Sequence, residues 1–124
     1  MTTKKELIEI AKQDLFPAKA LKTIYELSGI KPEAHINILT GHVFTGLNVY
    51  ELEIDYILKG YEKPEWATFT QFQEDNKHII KGEKATKITL AVYGKSKKDE
   101  DKEELKFFKG YSVFNVAQAQ EKEV

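Results

Sequence analysis

At 124 residues and 41% apolar, with 7 Phe, 6 Tyr and 1 Trp, the chain has material for one domain and one modest core. It has no cysteine, which excludes disulfides, zinc–thiolate centres and thiol catalysis and makes a reducing cytoplasm the expected setting. The formal net charge of −1 hides an asymmetry: residues 1–76 hold 8 Lys against 12 acids, whereas residues 77–98 hold 7 Lys against the single acid Glu83, so a polyanion should meet the second region.

Every basic residue is lysine. Lysine is a point charge without the bidentate fork of arginine, which points to phosphate contact with little sequence readout. The mixed-charge N-terminus lacks an apolar leader, and no stretch approaches the roughly 18 apolar residues of a membrane span, so neither secretion nor membrane insertion is expected.

In chain order, Leu7, Ile10, Ala11 and Leu15 recur at helical spacing. A second helix is expected from Pro17, burying Leu21, Ile24 and Leu27 and ending at Gly29. Residues 30–46 read as mostly loop. A third helix is expected over Asn48–Leu58, capped by Asn48 and ended by Gly60, with Glu51, Glu53 and Asp55 facing water. Thr68 followed by Gln71 is a capping-box pair for a short fourth helix from Phe69 to about Asp75.

Beyond it the period changes to two. Ile88, Leu90 and Val92 share one strand face, and Leu105, Phe107, Tyr111 and Val113 fit another, joined by a charged hairpin connection from Lys95 to Glu104. The expected architecture is α+β, with N-terminal helices packed on a small, mainly antiparallel sheet from the C-terminal half, and a single domain over residues 1–118 followed by a frayed tail at 119–124.

Enzymatic motifs fail one by one. Gly94-Lys95-Ser96 lacks the glycine five positions earlier that a phosphate-binding loop needs, that position being Thr89. His35 and His42 are seven apart, so the i, i+4 zinc pair of a metalloprotease is absent, and no cofactor or metal is expected. No nucleophile, acid and base are visibly gathered, so the chain is expected not to be an enzyme.

Binding residues fare better. Gly82 suits a tight turn that would hold Lys81 and Lys84 together, with Lys77 and Lys87 nearby, at the height of a phosphate backbone. Trp66 either fills the core or, just ahead of a helix N-terminus with Thr68 and Gln71, faces a ligand. Tyr93 and Tyr111 on sheet edges suit base stacking, because a tyrosine ring works with one face wet. Asn115 either caps a strand end or touches a base edge.

The motifs T-G-H-V-F-T-G-L-N (Thr40–Asn48), P-E-W-A-T-F-T-Q-F (Pro64–Phe72), I-I-K-G-E-K (Ile79–Lys84) and Y-S-V-F-N-V-A-Q (Tyr111–Gln118) stand in an order that resembles the N-terminal domain of ArdC-type antirestriction proteins. The resemblance spans roughly residues 37–118 and implies binding of single-stranded DNA in plasmids, phages and other mobile elements. It carries over to Asn48, Trp66, Thr68, Gln71, Lys81, Gly82, Lys84, Asn115 and Gln118. It also implies a following metalloprotease-like domain, so a separate DNA-processing or metalloprotease-like protein is a second expected partner. His42, Ile80 and Ala85 depart from the family pattern, and the two lost positive charges imply weaker DNA affinity.

The resulting expectation is single-stranded DNA binding without sequence preference. Lys77, Lys81, Lys84 and Lys87 would neutralise phosphates, Trp66 and Tyr111 would stack bases, and Gln71 and Asn115 would bond to bases or sugar. The alternative is a protein-interaction module that docks through the acidic helix bearing Glu51, Glu53 and Asp55.

Overall fold

The computed structural model describes residues 2–122. Helix α1 (Lys4–Ala11) is capped by Thr3, whose hydroxyl accepts from the Glu6 N–H, and α2 (Pro17–Ser28) starts on proline and stops where Gly29 takes φ +68°. The face that α2 buries is Ala18, Leu21 and Tyr25, whereas Leu27 and Leu15 are exposed. A two-residue strand β1 (Ile36–Asn37) interrupts the expected loop, and α3 (Leu47–Leu58) follows.

After β2 (Glu65–Ala67) comes α4 (Phe69–Glu74), closed by the expected capping box between Thr68 and Gln71. Strand β3 (Lys77–Ile79) precedes the long hairpin β4 (Thr86–Lys95) and β5 (Glu103–Asn115), and a 3-10 turn over Val116–Gln118 leads into β6 (Ala119–Glu121). The hairpin connection is shorter than the charged run suggested, because Lys95 pairs with Glu103 and only 96–102 form the tip.

Two sheets result. The larger has order β1-β2-β5-β4, with β1 and β2 parallel and the other neighbours antiparallel, so the sheet is mainly antiparallel, as expected, with one short parallel pair at its edge. The smaller pairs β3 with β6 antiparallel, Ile79 opposite Ala119. Residues Ala119–Glu121 are thus ordered strand where the sequence suggested fraying, and the last two residues of that tail lie outside the described residues.

Helix α3 joins two cores. Residues two apart on a helix point about 200° apart, so Ile54 packs with Ile8, Ala11, Leu21 and Tyr25 of the helical layer while Leu52 packs with Phe44, Trp66, Ile88 and Val113 of the sheet. Glu53, between them, is fully buried.

Candidate nucleic-acid interface

A groove of about 650 Å³ runs between the loop from His42 to Gly46, the start of α3 and the β4–β5 hairpin. Three of the expected site residues, Asn48, Lys87 and Tyr111, line it. Asn48 is not the helix cap: α3 begins at Leu47 after Gly46, which has no side chain with which to cap it. Its amide is turned on strand β4 instead. Nδ2 donates to the Thr89 carbonyl at 2.6 Å and Oδ1 accepts from the Thr89 N–H at 2.9 Å, a clasp that closes the strand edge there and fixes one groove wall. Asn48→Ala leaves both Thr89 groups without these partners and is expected to cost about 1–3 kcal/mol in urea unfolding.

The rings at the groove are set by strand register. Ala91 stands opposite Phe108 and Tyr93 opposite Leu105. Opposed residues share a face, and so do residues two apart on one strand. Tyr93 and Phe108 therefore occupy one face, one cross-strand step apart, 59% and 65% exposed. Tyr111 is different, because its ring packs against the sheet core and offers the groove only its half-buried side. His42 stands exposed at the opposite rim, edge-on to the buried Phe44 ring at 5.3 Å.

Lys87 lines the groove, and Lys81 and Lys84 are exposed on the approach to β4; none of the three is in an ion pair among the described residues. Gly82 sits at φ +89° in a turn closed by Glu83 N–H to the Ile80 carbonyl at 3.1 Å, as the sequence suggested, although the strand before it pairs with β6 and not with β4. Lys77 belongs to that smaller sheet and is paired with Asp75 at 3.3 Å.

Several expected DNA contacts are structural. Trp66 is wholly buried and its Nε1–H donates to His35 Nδ1 at 3.0 Å, so no base reaches it. Asn115 is buried too: its backbone N–H donates to Gln118 Oε1 at 2.8 Å, its Oδ1 accepts from the Ala117 N–H and its Nδ2 donates to the Lys63 carbonyl. Of the two alternatives left for Asn115, capping is the one realised. Gln118, also buried, donates Nε2–H to the Lys84 carbonyl at 2.8 Å and so holds the lysine turn from beneath. Gln71 Oε1 accepts from the Thr68 N–H and from Asn37 Nδ2, both at 2.9 Å, so Thr68 and Gln71 serve the α4 cap.

A buried polar network underlies the site. Glu53 Oε1 accepts from the Glu33 N–H at 3.2 Å and lies 2.9 Å from His35 Nε2; Oε2 accepts from the Tyr25 hydroxyl at 2.9 Å and from Lys4 Nζ at 3.2 Å. An indole N–H only donates, so His35 Nδ1 is an acceptor toward Trp66 and the imidazole proton sits on Nε2, donated to Glu53. Burial alone would raise the Glu53 carboxyl, but the bonds from His35, the Glu33 N–H and Tyr25, with the Lys4 ammonium, outweigh it and hold the carboxyl below its ordinary value. Burial and the Glu53 charge in turn push the Tyr25 phenol far up.

This network overturns the expected acidic docking face. Glu53 is inside, the half-buried Asp55 accepts from the Thr86 hydroxyl at 2.5 Å, and of the three acids only Glu51 is exposed, at the groove. Among the described residues no helix is long and apolar enough to cross a membrane.

Comparison with known proteins agrees with this architecture. Residues 22–114 match the family model described as the N-terminal domain of anti-restriction factor ArdC. The metal-free crystal structure of antirestriction ArdC protein from R388 plasmid is similar at 20% identity and TM-score 0.59, over 93% of this chain and 41% of that one. The Mn(II)-bound structure of the same protein is similar at 28% identity and TM-score 0.55, over 71% of this chain and 35% of that one. The chain thus spans about two fifths of the length of that protein. No curated protein matches the sequence.

Proposed function

Because the chain belongs to the family of ArdC N-terminal domains, we propose that it binds single-stranded DNA without sequence preference and serves antirestriction or the handling of mobile-element DNA in the cytoplasm, as a binding domain without catalysis. The carrying observation is the groove in which two exposed rings, Tyr93 and Phe108, share a strand face beside Lys87, which is in no ion pair among the described residues. Flat rings stack on any base, and ammonium groups meet the backbone that every sequence shares. Lys81 and Lys84 continue the charge along the approach to β4, and Asn48 holds the groove wall in place. The whole antirestriction activity belongs to a protein more than twice this length, so a separate DNA-processing or metalloprotease-like partner remains part of the proposal.

The test is fluorescence anisotropy of labelled single- and double-stranded oligonucleotides across a salt series. Binding should favour the single strand, with a log–log salt slope of about −0.7 per phosphate contact. Lys84→Ala with Lys87→Ala should flatten that slope by about 1.4, two contacts' worth. An unchanged slope removes these lysines from the interface, and preference for duplex overturns the reading.

A further inference from the structure

Among the described residues, nothing pairs with most of the edge of β5 that faces away from β4. Strand β5 meets β2 only at Phe114 and Asn115, whereas its pairing with β4 runs from Glu103 to Val113. The open stretch carries Leu105, Phe107 and Phe108, which are 47%, 54% and 65% exposed. A two-stranded arm with apolar side chains on both faces is marginal by itself, and an unpaired edge is a template for another strand.

The register of the arm says which strand fits. Between Val92 opposite Phe107 and Tyr93 opposite Leu105 the ladder skips Lys106, a β-bulge on β5. Its consequence is a change of face. Gly94 opposes Glu104 and Leu90 opposes Lys109, so Glu104 and Lys109 stand on one face; Leu105 and Phe108 stand together on the other. In an unbulged strand, residues an odd number of positions apart point to opposite faces.

We propose that β5 pairs antiparallel with β5 of a second copy of this chain, about a two-fold axis between Lys106 and Phe107. That register puts Glu104 opposite the second copy's Lys109 and Leu105 opposite its Phe108, and the symmetry repeats both pairs. Each end of the junction joins opposite charges, and each charged pair flanks an apolar one. Centring the axis on Lys106 instead would set Glu104 against Phe108 across the two faces. Glu104 already touches Lys106 within the arm at 2.5 Å, an exposed contact that the pairing can share. The result is a continuous four-stranded ribbon, β4–β5–β5–β4, with the Tyr93 and Phe108 rings of both copies on the same side. The proposal rests on the strand edge and not on the DNA reading, and it is tested without DNA.

Sedimentation velocity of the full chain over a concentration series should show a reversible monomer–dimer equilibrium. Glu104→Lys and Lys109→Glu, each placing like charges at both ends of the junction, should raise the dissociation constant at least about tenfold, and the double variant Glu104→Lys/Lys109→Glu should return it to within about threefold of the parent. Both positions are exposed, so circular dichroism should be unchanged throughout. A chain that stays monomeric at every concentration overturns the proposal. So does a dimer that is indifferent to the single reversals, or one that the double variant fails to rescue.

Discussion

Glu53→Ala is expected to cost about 3–5 kcal/mol, because it leaves several buried donors unsatisfied at about 1–3 kcal/mol each, out of a total stability of about 5–15 kcal/mol for a domain. The substitution strips the acceptor from four donors at once: Lys4 of α1, Tyr25 of α2, the Glu33 N–H and His35. His35 is wholly buried and keeps its Nε2 proton because Trp66 occupies the other nitrogen, so its donor has nowhere else to turn. Glu53→Gln should recover only part of the loss. Each carboxylate oxygen faces two donors, and an amide replaces one of those oxygens with an NH2 group. Fluorescence of Trp66, the single tryptophan and fully buried, reports the unfolding in urea. A loss below about 1 kcal/mol, the scale of an ordinary surface pair, would show that this network is not what ties the helices to the sheet.

The same carboxylate sets a pH dependence. Its folded pKa lies below the ordinary value of 4.5, so the unfolded chain takes up this proton more readily than the folded one. The stabilisation is therefore complete above pH 4.5 and drains away as pH falls through the depressed folded value. Parent and Glu53→Gln stability curves should converge on the acid side and stay parallel from pH 5 upward.

Tyr93→Ala with Phe108→Ala is expected to weaken single-stranded DNA binding by at least about 30-fold, taking the lower end of about 1–3 kcal/mol per stacked base for each ring. Neither ring is buried, so unfolding in urea should shift by no more than about 0.5 kcal/mol. The separation of the two readouts is what gives the double variant its value, since a truncation at Trp66 would remove core and cannot report on stacking. Anisotropy with an oligothymidine probe measures the loss. Affinity within about threefold of the parent would take the stacking platform out of the groove.

Local chemistry was legible wherever one short stretch decides the outcome. The Thr68–Gln71 box, the stop at Gly29 and the turn at Gly82 each depend on residues within a few positions, and each stands where the sequence placed it. The α+β class followed from the change of period after α4. Long-range partners were not legible. Glu53 reads as a solvent-facing helix acid because a 3.6-residue pattern assumes one wet side, yet α3 is covered by the helices on one face and the sheet on another. Its bonds reach 49, 28, 20 and 18 positions away.

The misreading of Trp66, Asn115 and Gln118 has the same origin. Aromatic and amide side chains serve DNA and backbone carbonyls with the same donors and faces, and only burial tells the two uses apart. Tyr93 was read as a stacking ring, but its neighbour Phe108 was not, because alternation along β5 cannot reveal a skipped residue at Lys106.

The Asn48 clasp has a further consequence. A hairpin with both margins bare could add strands on either side without end, growing into a filament. Here one margin is bolted at Thr89 by a side-chain amide and patrolled by Lys87 and Lys95, so self-recruitment has a single direction and terminates after one step. Cutting that bolt should therefore convert a finite assembly into a sticky one, visible as turbidity well before any loss of helix signal.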